Sequence, residues 1–234
     1  MPNIEHVFED ESLLVVNKPS GLIVNRAQSV KGYTLQDYIE SLDILNLAGI
    51  LPDSEYAQRS GVLHRLDKDT SGLLLVAKNS ETFEFIKAQF KNRSIKKEYL
   101  GLIHGRLPDI KVKVDAPIKR DPHRRFKMAV HSEGREAVTE FEEIKQISLA
   151  DIPLSLIKAY PRTGRTHQIR IHLSALNCPI VADPIYSSLS QFRSIERLFP
   201  RLMLHALSLE FVNFSTKETV KFEASLPQEF TNIV

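Results

Sequence analysis

Apolar and polar positions alternate along this chain in short runs of differing period. Ile4 to Phe8 and Leu13 to Asn17 have the length of strands and flank the acidic turn Glu9-Asp10-Glu11. Lys18-Pro19-Ser20-Gly21 then stops the second strand. Thr34 followed by Asp37 predicts a helix cap, and Leu35, Tyr38, Ile39, Leu42 and Leu45 repeat behind it at helical spacing. Asn46 to Ser60 lacks a period and reads as a loop. Leu73 to Ala77, apolar throughout, predicts a buried strand, and Ser80 caps a helix whose apolar side is Phe83, Ile86 and Phe90. Lys96 to Ile103 predicts another strand. The stretch 105–135 is turn-rich and basic, with Pro108, Pro117, Pro122 and Gly134. Strands are expected at Ala137 to Ile147 and Leu154 to Tyr160, followed by the basic turn Pro161 to Thr166. His167 to Leu176 fits a helix with Ile169, Leu173 and Leu176 inward, ended by Asn177 and Pro179. A helix over Leu189 to Phe199 and strands at Met203 to Phe214 and Thr219 to Leu226 complete the chain. Strands and helices mix without regular βαβ alternation, which predicts an α+β fold on a mixed, mostly antiparallel sheet with flanking helices and loops. No repeat, low-complexity tract or linker interrupts the pattern, so one domain over residues 1–234 is expected.

Composition narrows the class. With 234 residues, 42% hydrophobic and 26% charged, the chain can bury a core. Its apolar runs fall far short of the ~18 to 20 residues of a membrane span, and the N-terminus lacks the pattern of a secretory signal. A lone cysteine, Cys178, rules out an intrachain disulfide and a multi-cysteine metal site, and a reducing, cytoplasmic setting is the simplest reading. Net charge is only +2. Residues 91–97, 119–127 and 158–172 nevertheless each carry a net +4, leaving the remainder acidic. That distribution suits one polyanion-binding face, and it equally suits three solvated loops pointing apart.

The densest chemistry lies in Gly61 to Gly72, where two glycines bracket His64, Arg65, Asp67, Asp69, Thr70 and Ser71. A carboxylate there can serve as nucleophile, base or electrostatic stabiliser, or simply order a turn, and the residues alone do not choose between Asp67 and Asp69. Tyr99, in Lys96-Lys97-Glu98-Tyr99, can stack on a base or pack into a core. The flanking lysines suit phosphate contacts or plain solubility. In Thr163-Gly164-Arg165-Thr166-His167-Gln168-Ile169-Arg170-Ile171-His172, the two histidines are five apart, off the spacing of a helical metal pair, so no metal site is expected.

His-Arg-Leu-Asp-x-x-Thr-Ser-Gly, carried by His64 to Gly72, resembles the signature of the RluA-type RNA pseudouridine synthases. Val-Asn-Lys-Pro-Ser-Gly-Leu at the end of the second strand, Lys-Lys-Glu-Tyr, Gly-Arg-Thr-His-Gln-Ile-Arg-Ile-His and Leu204-His205-Ala206 resemble that family's other motifs, so the resemblance spans roughly residues 12–212. It implies the pseudouridine synthase catalytic fold, without a separate N-terminal RNA-binding domain, and isomerisation of uridine to pseudouridine in structured RNA. The catalytic residues implied are Asp67, Tyr99 and Arg170, with Arg170 the charge partner of the catalytic carboxylate. Arg65 would help to extrude the target nucleotide. Substrate contacts are implied for His64, Arg65, Thr70, Lys96, Lys97, Arg162, Arg165, His167, Gln168, Leu204 and His205. An internal transfer implies no cofactor and no metal. The partner expected is an RNA stem-loop, ribosomal or transfer RNA or both, with no membrane and no obligate protein partner. Two positions depart from the family pattern: Asn25 where His is common, and Ala182 where Gly commonly precedes Asp. The rival readings are a non-catalytic RNA-binding module of the same fold, marked by loss of Asp67, Tyr99 or Arg170, and a carboxylate hydrolase, marked by release of free base.

Overall fold

The computed structural model describes residues 3–28, 30–124, 126–149, 151–195, 197–231 and 233. Arg125 of the basic stretch and Glu196 of the last expected helix lie outside the described residues. The chain gathers into two compact units, Met1–Lys96 with Ala206–Ser225, and Lys97–His205 with Leu226–Val234. Through the first unit it runs β1 (Glu5–Glu9), β2 (Leu13–Lys18), α1 (Leu35–Ser41), α2 (Glu55–Gln58), β3 (Ser71–Ala77) and α3 (Ser80–Lys91). Then follow β4 (Lys96–His104), β5 (Lys111–Asp115), β6 (Ile118–Arg120), β7 (Met128–Val130), β8 (Val138–Leu149), β9 (Ile152–Pro161), α4 (Gln168–Ala175) and α5 (Leu189–Ile195). The last elements are β10 (Leu204–Val212), β11 (Thr219–Glu223) and α6 (Gln228–Thr231).

In the first unit the sheet order is β1-β2-β3-β10, with β11 paired to β10. β2 and β3 run antiparallel with Leu13 opposite Ala77 and Lys18 opposite Gly72. All seven residues of β3 are buried, which is why the run reads as unbroken apolar sequence rather than as an alternation. Leu73, Leu75, Phe83, Ile86, Leu209 and Phe211 pack in one core, which joins the sheet to α3. In the second unit the order is β4-β9-β8-β5, and β6 and β7 form a separate antiparallel hairpin. Antiparallel ladders in a mixed chain order are the α+β arrangement that the pattern predicts.

Several boundaries differ from expectation. Thr34 and Asp37 form the expected capping box, but α1 ends at Ser41 because Asp43 turns left-handed at φ +53°. α2 lies inside the expected loop; at four residues it is too short to show a period, and Ser54 caps it. Asn79, not Ser80, caps α3, its amide oxygen accepting the Thr82 N–H at 2.9 Å. β5, β6 and β7 occupy the stretch read as turns, since lysines and prolines mask strands with an exposed face. α6 was hidden for the same reason of brevity as α2.

The two glycines that bracket the central motif both sit where no side chain fits. Gly61 has φ +71° and a Cβ there would lie 2.2 Å from the Ala77 carbonyl oxygen. Gly72 has φ +119°, and its Cβ would lie 2.2 Å from the Ala206 carbonyl oxygen on β10. Both clashes are with backbone, which cannot swing aside as a flexible side chain can. Gly72→Ala should therefore part β3 from β10 and lower stability by about 3 kcal/mol or more. Thermal unfolding of the purified variant checks this, and a midpoint within a degree or two of wild type would contradict the close approach.

Candidate active site

The expected site residues fall into two constellations, one in each unit. In the first, the turn from Asp67 to Thr70 closes with a bond from the Thr70 N–H to the Asp67 carbonyl at 3.2 Å. Three groups that follow β2 or end it hold this turn. The Gly21 N–H donates to the Lys68 carbonyl at 2.9 Å, the Ser20 hydroxyl to the Asp69 carbonyl at 2.7 Å, and the Lys18 Nζ to the Lys68 carbonyl at 2.9 Å. Lys18 is fully buried, and its Nζ also donates to the carbonyls of Pro19 (2.8 Å) and Leu22 (2.9 Å). An ammonium has three donors, and a buried charge is tolerated only when hydrogen-bonded. Asp67 itself is half-buried and Arg65 is exposed.

His64 braces the approach to the turn. Its Nε2 accepts the Leu75 N–H at 3.2 Å, so a neutral ring carries its proton on Nδ1, and the ring lies 4.9 Å from that of Phe90. Thr70 is buried, and its hydroxyl has no hydrogen-bond partner among the described residues.

In the second unit α4 carries Arg170. Its Nε and Nη2 donate to the two carboxylate oxygens of Asp183 at 2.8 and 2.9 Å, a bidentate pair with both side chains buried. Asp183 Oδ1 also accepts the N–H groups of Ile185 (2.8 Å) and Tyr186 (3.0 Å). The sequence reading missed Asp183 and Tyr186 as site residues. The signal was present, an acid and a phenol in the loop Ala182 to Tyr186, but it stood out only as a departure from a motif.

Gln168 is buried at the start of α4. Its Oε1 accepts from the Thr163 hydroxyl (2.7 Å) and the Arg165 N–H (3.0 Å), while its Nε2 donates to the Val138 carbonyl (3.0 Å) and the Thr139 hydroxyl (2.9 Å). All four positions of the amide are taken by protein. Gln168 therefore fastens the basic turn to β8. The Thr139 hydroxyl passes the network on to His172 Nδ1 at 3.0 Å, and His172 Nε2 donates to the Ala116 carbonyl at 3.0 Å.

The basic residues are less segregated than their sequence suggests. Lys96 pairs with Glu210, Lys119 with Glu133, Lys158 with Glu98 and Arg162 with Glu140. Lys97 donates to the Thr163 carbonyl at 3.2 Å, and Arg165 Nε to the Glu136 carbonyl at 2.9 Å. Exposed pairs of this kind are worth about 1 kcal/mol or less, so a phosphate can displace the carboxylate. Tyr99 is half-buried on β4, opposite Ala159 of β9. His167 caps α4 at φ +56°, and its Nδ1 is hydrogen-bonded to the Tyr186 hydroxyl at 2.9 Å. Leu204 and His205 are buried. Burial, with the Arg201 charge adding to it, pushes the His205 imidazole down to about 3. His205 is therefore neutral. A cavity of about 510 Å³ in the second unit, lined by Leu102, Lys145, Ile147, Phe199 and Glu229, contains none of the expected site residues. Among the described residues no three His, Cys, Asp or Glu side chains gather as a metal site requires, and no helix is long and apolar enough to cross a membrane.

Comparison with known proteins places these constellations in context. Residues 12–175 match the model of the RNA pseudouridylate synthase family. Over 97% of its length the chain is 39% identical to the ribosomal large subunit pseudouridine synthase D of Zymomonas mobilis, covering 70% of that protein. It is 34% identical over 99% of its length to an uncharacterized RNA pseudouridine synthase of Bacillus subtilis, covering 72%. The structure of human RNA pseudouridylate synthase domain containing 1 superposes with a TM-score of 0.74 at 29% identity, over 96% of this chain and 84% of the other.

Two predictions follow from the geometry. Lys18→Met leaves carbonyls of Pro19, Leu22 and Lys68 without their donor, which should cost about 1–3 kcal/mol and loosen the Asp67 turn. Denaturant unfolding and turnover should both fall; a variant equal to wild type in both would dismiss the clamp. For His205, an unfolded imidazole titrates near 6.5 and the folded one near 3, so acid adds a proton to the unfolded chain first. Stability should fall as pH drops from 6.5 toward 3, by linkage. Urea unfolding along a pH series should show that fall, shallower in His205→Leu, and an identical slope in the variant would count against a neutral buried imidazole.

Proposed function

The chain belongs to the RNA pseudouridylate synthase family, which makes it an isomerase converting uridine to pseudouridine in RNA, and from that premise we propose that its substrate is large-subunit ribosomal RNA and its catalytic carboxylate Asp67. The carrying observation is the clamped turn. Asp67, Tyr99 and Arg170 all fall within the matched residues 12–175, and Asp67 stands on a turn fixed by Lys18, Ser20 and Gly21.

The reaction breaks the N1–C1′ bond, turns the detached uracil and joins C5 to C1′. The C5 proton leaves and N1 gains one, so nothing is oxidised or reduced and no group donor is consumed. Asp67 acts at the sugar, by attack on C1′ or by removal of a sugar proton. Either role needs the Asp67 side chain to stand on a backbone that does not drift, which favours a clamped turn. The Tyr99 ring stacks on the uracil and keeps it from leaving. Arg65, exposed two residues before Asp67, is suited to fill the space left by the extruded nucleotide. Arg170, held by Asp183, is the cation that the family motif assigns to the reaction. Lys96, Lys97, Arg162 and Arg165 contact phosphates by exchanging weak protein partners for the RNA backbone.

Ribosomal RNA is favoured over transfer RNA because several relatives, at 34 to 39% identity, are named for the large ribosomal subunit. The site of action is then the cytoplasm, where ribosomes are assembled. Pseudouridine mapping of total RNA, with carbodiimide adducts read as reverse-transcription stops, should lose one or a few large-subunit stops when the gene is deleted. Wild type should restore them and Asp67→Asn should not, while that variant still folds. Restoration by Asp67→Asn would remove Asp67 from the chemistry, and stops lost only from transfer RNA would replace the substrate.

A further inference from the structure

One side chain in the second unit touches both the helix that carries Arg170 and the basic hairpin. Tyr186 follows Asp183 by three residues, and its own N–H is bonded to the Asp183 carboxylate that holds Arg170. The Arg170 guanidinium lies 5.2 Å from the Tyr186 ring centroid, within reach of a cation–π contact. The hydroxyl reaches two further elements. It is bonded to His167 Nδ1, at the start of α4, at 2.9 Å, and it accepts the Met128 N–H, the first amide of β7, at 3.0 Å. The ring also packs with Met128 against Ile118, Ala137 and Ile171, and the Lys127 ammonium stands 5.7 Å from its centroid.

The hairpin held in this way has the chemistry of an RNA arm. β6 and β7 form a two-stranded sheet of their own, apart from the larger sheet of this unit. The hairpin carries Lys119, Arg120, Arg124 and Lys127, and Phe126 stands 65% exposed beside them. Cations follow a phosphate backbone, and an exposed aromatic ring among them can stack on an unpaired base. At its base the hairpin is tied to the chain before β8, where Ile118 and Arg135 exchange backbone bonds of 2.9 Å, and the bond at Met128 adds a second fixed point on β7, nearer those groups.

We propose that Tyr186 is a positioning residue that latches the basic β6–β7 hairpin to the Arg170–Asp183 pair, so that one phenol sets both the RNA-binding arm and the guanidinium. This rests on the reading of the chain as an RNA pseudouridine synthase, but the latch itself can be tested without RNA. The roles divide within the side chain: the hydroxyl supplies the hydrogen bond to the hairpin, and the ring lies against Arg170 as well as against Ile118 and Met128.

Tyr186→Phe removes the first role and keeps the second, whereas Tyr186→Leu removes both. Tritium release from an unmodified large-subunit ribosomal RNA transcript labelled at uridine C5 gives KM and kcat, and amide hydrogen exchange reports the Met128 N–H. Tyr186→Phe should raise KM about tenfold, with the loss of kcat/KM carried by KM, and should speed exchange at Met128 by at least tenfold. Tyr186→Leu should lower kcat as well. A Tyr186→Phe enzyme with wild-type KM and a protected Met128 amide would overturn the latch. Loss in kcat alone would overturn the division of roles. If the wild-type protein releases no tritium, the reading as a synthase of this RNA fails, while exchange at Met128 still decides whether the hydroxyl holds the hairpin.

Discussion

The Lys18 ammonium sits where a core strand ends, and the carbonyls of Pro19, Leu22 and Lys68 converge on it. Two of them belong to the chain just after β2, and the third belongs to the turn that bears Asp67. Lys18 is also the strand partner of Gly72, which follows that turn and approaches β10 more closely than any other residue type allows. The turn is thus pinned on one side by a buried charge and on the other by a missing side chain. Neither device stabilises a generic fold cheaply: a buried cation is costly and an interior glycine weakens a strand. Their combination fixes the backbone of the turn that bears Asp67, the carboxylate proposed above to act at the sugar.

The second unit solves the same problem with different groups. Arg170 and Asp183 form a buried, bidentate pair, and the Gln168 amide is saturated by Thr163, Arg165, Val138 and Thr139. A buried ion pair is weak as a source of stability, because desolvation offsets most of the attraction. Its value is directional, since a fork of two parallel bonds fixes the guanidinium plane. The saturated Gln168 plays the same part for the basic turn, which could otherwise move as one flexible loop with its arginines.

Much of this was legible in the sequence. The capping box at Thr34 and Asp37, the buried strand of Leu73 to Ala77 and the helix carrying Arg170 declare themselves through period and capping, which are local. The central motif was legible because its functional groups are adjacent in the chain. What stayed hidden depends on partners far apart in sequence. Lys18 reads in sequence only as the first residue of the break that ends a strand, and only the fold shows it closing on Lys68. Gln168 reads as a polar residue available to RNA until its four partners are placed. Likewise the clustered lysines and arginines look segregated in one dimension, because Glu98, Glu140 and Glu210, which meet them, come from other strands.

Ala182 shows how a single departure from pattern becomes intelligible. It adopts φ +57°, a left-handed conformation that costs a residue with a Cβ about 1–2 kcal/mol and glycine almost nothing. Glycine is thus the natural choice at this place, and alanine accepts strain there. The strained bond lies immediately before Asp183, whose carboxylate must meet Arg170 on one side and the N–H groups of Ile185 and Tyr186 on the other. Relaxing Ala182 to an ordinary conformation would turn Asp183 away from at least one of these partners. The bidentate pair and the two amide bonds together exceed the strain, so the backbone yields and the carboxylate stays. Placement of the guanidinium dictates the conformation of its neighbours here, and the residue type at 182 affects only how much stability remains.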